Sequence, residues 1–202
     1  MIGEFNRSVL LTYLGACCSV IGMGLCMLGS LKYAVVCMIV AGICDLFDGV
    51  IARKCKRGEA AQQFGIQIDS LTDMISFVAF PVVMGMRMMQ TLGWGAWIVL
   101  SLYTLAGIIR LAWYNVHTAS EQSVHYFAGL PVTYIALILP VCYLFWGYMS
   151  EPAFGVMTGG VFLVVALLFV LKVKICKPRG IWYAVFGLLA VALIVLSIWI
   201  GV

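Results

Sequence analysis

The chain has 202 residues, of which 64% are hydrophobic and only 10% charged, with a formal net charge of +4 and a mean hydropathy of +1.11. Such a composition excludes a soluble globular domain and places the protein in a membrane. The excess of positive charge implies no nucleic-acid partner, because its placement follows membrane topology and attraction to anionic headgroups.

Seven stretches approach the ~20 residues that a bilayer core requires: 9–28, 33–52, 66–89, 94–116, 128–149, 154–171 and 181–201. They predict an all-α fold, a polytopic membrane helical bundle with one integral membrane domain over 1–202. The first stretch lacks a small-residue cleavage site followed by soluble sequence, so it is expected to stay as a helix.

The second stretch carries Asp45 and Asp48 three residues apart. With Gly49 and Ala52 they fall on one stripe, because steps of three and four residues keep to one helical face. The two small residues either allow close helix packing or leave room for a bulky ligand. A basic loop follows, Arg53, Lys54, Cys55, Lys56, Arg57 and Gly58. Arg53 ends the helix one turn beyond Gly49, from where a guanidinium can reach back and grip a phosphate through two parallel bonds.

The third stretch repeats the arrangement with Gly65, Asp69, Thr72, Asp73 and Ser76, a small or polar stripe that cannot face lipid. Counting from the expected inner ends, Asp48 lies about 7 Å and Asp73 about 10 Å deep. That predicts a shallow pocket open to the cytoplasm, where a headgroup phosphate can reach it.

The fourth stretch holds Arg110 about 9 Å from its cytoplasmic end, level with the aspartates. A membrane arginine at that depth needs an anion. An ion pair with an aspartate, snorkelling to the headgroups, or capture of an anionic substrate would each supply one. His117 and His125 follow in or near a polar loop, where histidine is usually only solvated. The last three stretches are apolar, and Trp94, Trp97, Trp146, Tyr148 and Trp182 are placed to sit at the interfaces.

With the amino terminus cytoplasmic, the inner side receives Arg7, Arg53, Lys54, Lys56, Arg57, Arg110, Lys172, Lys174, Lys177 and Arg179. The outer side keeps Lys32 and Arg87, a bias of ten against two. The eight cysteines show no CxxC or Cys/His spacing, which reads as packing and not as zinc or redox chemistry.

Four of the eight acidic residues therefore lie within membrane segments. Each costs at least a few kcal/mol unless compensated, so together they mark a functional site. Four converging carboxylates cannot all stay ionised in a low dielectric without cations, and hard divalent ions held by oxygen are the ordinary solution. A cation transporter could also use such residues. It would normally draw them from internal repeats or broken helices near the midplane, and the sequence shows no such repeat. A purely structural role gives no reason for four costly aspartates.

The ordered set Asp45, Asp48, Gly49, Ala52, Arg53, Gly65, Asp69 and Asp73 resembles the signature of the CDP-alcohol phosphotransferase family. The resemblance implies a six-helix membrane core, to which this chain adds a seventh, C-terminal helix, and a homodimer. It implies two divalent cations, Mg2+ or Mn2+, held by Asp45, Asp48, Asp69 and Asp73, with Asp73 as general base. It implies a CDP-lipid bound near Gly49, Ala52, Arg53 and Gly65, and transfer of its phosphatidyl group to an alcohol with release of CMP.

Beyond the signature, Ser70, Leu71, Thr72, Ser76, Phe77 and Pro81 resemble the phosphatidylserine synthase branch. So do Arg110, Leu111, Ala112 and Asn115, the run 127–131, and Lys174, Lys177 and Pro178. That branch implies CDP-diacylglycerol as donor and L-serine as acceptor, with Arg110, Asn115 and Ser76 around the acceptor. Transfer to glycerol 3-phosphate or an inositol compound is the alternative within the same chemistry.

Overall fold

A computed structural model of the chain describes residues 7–54, 58–118, 126–176 and 181–200. The apolar runs form helices, since hydrocarbon offers the backbone no partners other than its own. Helices α1 (Arg7–Met27) and α2 (Leu31–Lys54) make a long antiparallel pair. Gly29 joins them with φ of 84°. Its N–H donates to the Cys26 carbonyl at 3.1 Å and that of Ser30 to the Leu25 carbonyl at 2.9 Å, the double bond of a helix that ends in a left-handed glycine.

The next segment is one continuous rod of three parts. Helix α3 (Glu59–Asp73) runs into a π-helical stretch, Met74–Ala79, and then into α4 (Phe80–Met88). The hydropathy pattern placed its start near residue 66. The helix begins seven residues earlier because the segment around Gln62 and Gln63 is amphipathic, not apolar, and a helix with one wet face escapes a hydropathy window.

Helix α5 (Trp94–Thr118) follows the expected fourth stretch. The fifth stretch differs. Tyr126–Ala128 is a short strand, β1, after which Gly129 has φ of 84° and Pro131 precedes a 3-10 turn, Val132–Tyr134. The α-helical part, α6 (Ile135–Tyr143), has only nine residues before a second 3-10 turn at Trp146–Tyr148. Glycine and proline thus shorten a run that composition alone reads as a full span.

Helices α7 (Glu151–Val170) and α8 (Ile181–Ile200) complete the bundle, and β1 pairs antiparallel with β2 (Lys174–Cys176). Among the described residues, five helices are long and apolar enough to cross a membrane. Two shorter ones, Val132–Tyr148 and Val185–Trp199, fill the fifth and seventh places. The core lies where α4, α5 and α7 meet α2 and α6, and includes Phe77, Phe80, Met84, Tyr103, Leu139 and Phe162. The described cysteines are free thiols: Cys26, Cys44 and Cys142 are buried, Cys18 and Cys37 half-buried and Cys17 exposed.

Candidate active site

Helices α2 and α3 bring the acidic pairs together. Carboxylate oxygens of Asp45, Asp48 and Asp69 lie within 4.8 Å of one another, with Asp48 buried and the other two half-buried. The Asp73 carboxylate comes within hydrogen-bonding reach of Asp45 and so adjoins this group of three. Oxygen donors at this separation suit hard divalent cations, and neither a thiol nor an imidazole belongs to the group.

The early start of α3 changes the depth. Asp48 is six residues from the last residue of α2, about 9 Å, and Asp45 about 14 Å. Asp73 is fourteen residues from the first residue of α3, about 21 Å instead of the expected 10 Å. Since Asp73 meets Asp45, the first turns of α3 overrun the end of α2 by about 7 Å.

Helix α1 supplies a partner that the sequence reading missed. The Thr12 hydroxyl donates to Asp48 Oδ2 at 2.7 Å, and both residues are buried. One and two turns further along, Gly15 lies where a Cβ would come 3.3 Å from that of Cys44, and the Ser19 hydroxyl donates to the Gly15 carbonyl at 2.9 Å. Thr12, Gly15 and Ser19 form a small or polar stripe like those on α2 and α3, and that was the signal available.

Among the other expected residues, Gly49 and Gly65 are half-buried on α2 and α3, one residue after Asp48 and one turn before Asp69. The side chains of Ala52 and Arg53 lie outside the described residues, as do His125, Lys177 and Pro178. Ser76 is in the π stretch, fully buried, with its hydroxyl 2.7 Å from that of Ser19. Asn115 donates through Nδ2 to the Ser70 hydroxyl at 2.9 Å, which ties α5 to α3 beside Asp69. His117 is exposed, its ring stacked on Trp113 at 4.1 Å.

Arg110 is 4% exposed. Two contacts fix its height: Asn115 meets Ser70, and a Cβ on Gly107 would come 2.8 Å from a methyl of Val78. Along these antiparallel helices Arg110 therefore sits level with Ile75, half a turn from Asp73. Its Nε donates to the Leu130 carbonyl at 3.0 Å, while Nη1 is buried without a hydrogen-bond partner. Leu130 is itself held, since its N–H donates to the Leu168 carbonyl at 3.0 Å near the end of α7.

A family model described as CDP-alcohol phosphatidyltransferase matches residues 5–199. The chain belongs to that family. It is 34% identical over 142 residues to the archaetidylserine synthase of Methanothermobacter thermautotrophicus, covering 70% of this chain and 59% of that protein. It is similar to proteins named CDP-diacylglycerol–serine O-phosphatidyltransferase in two further organisms. That of Helicobacter pylori is 29% identical over 57% of this chain and 48% of its own. That of Saccharomyces cerevisiae is 34% identical over 52% of this chain and 40% of its own. The chain thus spans about half the length of the curated relatives that it matches.

Proposed function

We propose that this protein transfers a phosphatidyl group from CDP-diacylglycerol to the hydroxyl of L-serine, giving phosphatidylserine and CMP. The observation that carries this is the convergence of Asp45, Asp48, Asp69 and Asp73 from two facing helices in a chain of the CDP-alcohol phosphatidyltransferase family. Serine as acceptor is supported by the names of the relatives and by Arg110, a buried guanidinium level with the aspartates that has one nitrogen without a partner.

In this scheme the four aspartates would hold two divalent cations, Mg2+ or Mn2+, which when bound supply positive charge to offset that of the diphosphate. Asp73 accepts the proton of the serine hydroxyl as that oxygen bonds to the phosphorus bearing diacylglycerol. The bond from that phosphorus to the oxygen of the CMP phosphate breaks, and CMP leaves. Thr12 keeps Asp48 oriented, and Gly49 and Gly65 leave the donor room beside the carboxylates. Arg53, with Ala52 beside it, grips the donor phosphate at the cytoplasmic end of α2. Arg110 binds the serine carboxylate, while Asn115 and Ser76 support the acceptor side from α5 and the π stretch.

The amino terminus and the site face the cytoplasm, in keeping with the ten-to-two distribution of basic residues. The working unit is a homodimer, in keeping with the family. The experiment that decides the acceptor uses purified protein, radiolabelled CDP-diacylglycerol and a panel of L-serine, glycerol 3-phosphate, inositol and inositol phosphate. Labelled phosphatidylserine as the dominant product is expected, and a product formed only with a phosphorylated acceptor would overturn the assignment.

A further inference from the structure

The π stretch begins at the residue after Asp73, and its cause is legible in the chain. In an α-helix the Phe77 carbonyl would accept the N–H four residues on, but that residue is Pro81, which has none. The turn widens instead. The N–H of Phe80 donates to the Ile75 carbonyl, five residues back. The Phe77 carbonyl receives a different donor, the hydroxyl of Tyr103 on α5, at 2.5 Å.

Tyr103 is fully buried and has little freedom to leave. Its ring meets Phe162 edge-on at 4.9 Å and Phe169 at 5.5 Å, both on α7. The far half of the rod is equally fixed. A Cβ on Gly22 of α1 would fall 2.2 Å from the Phe80 ring, and one on Gly85 would fall 2.7 Å from Leu100 and 3.0 Å from Phe162. Phe80 and Met84 are fully buried.

A π turn holds one residue more than an α turn, so relaxing it would rotate one half of the rod against the other by roughly 100°. Because α4 is locked in the core, the rotation would fall on α3. Asp73 and Asp69 would then turn away from Asp45 and Asp48.

We propose that Tyr103 is a positioning residue: by donating to the Phe77 carbonyl it latches the π turn and so holds Asp73 and Asp69 toward the α2 carboxylates. This rests on the aspartates forming the active site proposed above, but not on serine being the acceptor.

The test compares Pro81→Ala with Pro81→Ala/Tyr103→Phe. In both, the N–H of the new alanine can satisfy the Phe77 carbonyl, so removing the hydroxyl leaves no orphaned group and the two proteins should melt at similar temperatures in detergent. Mn2+ affinity, read by electron paramagnetic resonance, should stay near wild type in the single variant. In the double variant it should fall on the order of tenfold or more, the range seen when support of a metal ligand is lost. Turnover should fall with it while the Michaelis constant for serine changes little. Tyr103→Phe alone should lose melting temperature, because with Pro81 in place the Phe77 carbonyl is left without a donor. Equal Mn2+ affinity in the single and double variants would overturn the latch, because Tyr103 would then merely satisfy a carbonyl. Serine-independent behaviour of the wild type would overturn the acceptor assignment and leave this comparison intact.

Discussion

The Thr12 hydroxyl on α1 donates a 2.7 Å hydrogen bond to Asp48 Oδ2 on α2, and both residues are buried. One oxygen of Asp48 is thereby committed, which fixes the orientation of a carboxylate that has an oxygen within 4.8 Å of Asp45 and Asp69. Partners of this kind set the orientation of a metal ligand, and their loss typically costs tenfold to a hundredfold in affinity or activity. Thr12→Val should raise the Mg2+ concentration for half-maximal CMP release by about tenfold or more, with Thr12→Ser close to wild type. Unchanged Mg2+ dependence in Thr12→Val would show that the bond serves helix packing alone.

Asp73 and Asp45 lie within hydrogen-bonding reach of each other but are assigned different work. Asp73→Asn keeps the shape and removes the proposed base, so turnover should fall about a hundredfold or more with little change in the Michaelis constant for CDP-diacylglycerol. Asp45→Ala should weaken Mn2+ and CDP-diacylglycerol binding together. Steady-state kinetics and Mn2+ titration on the two variants separate these outcomes, and near wild-type turnover for Asp73→Asn would place the base elsewhere.

For Arg110, the guanidinium fork is the relevant feature, with Nε on the Leu130 carbonyl and Nη1 left without a partner. A lysine cannot reproduce that geometry. Arg110→Lys should raise the Michaelis constant for serine by about tenfold while that for CDP-diacylglycerol stays within about twofold. A selective loss of CDP-diacylglycerol affinity would put Arg110 on the diphosphate instead.

The acidic site was legible because its signal is local. Four carboxylates at helical spacing within apolar runs are costly, and the two helices that carry them are neighbours in sequence. Thr12 shows the limit of that approach. A threonine costs little in a membrane helix, so nothing compels attention to it until α1 is seen against α2. The π stretch was missed for a related reason, since Pro81 reads as a helix break or kink and only the Tyr103 bond reveals how the backbone accommodates it. The helical bundle followed from composition, whereas the short α6 and the β1–β2 pairing depend on Gly129 and Pro131 and on long-range bonds that hydropathy does not carry.

The most direct measurement of the central claim is the release of labelled CMP from CDP-diacylglycerol by the purified protein, with and without L-serine and with and without excess EDTA. CMP and phosphatidylserine should appear together only when serine and a divalent cation are both present, and adding Mg2+ or Mn2+ beyond the chelator should restore both. Undiminished, serine-dependent CMP release in excess EDTA would contradict a site built on four carboxylates that hold divalent cations.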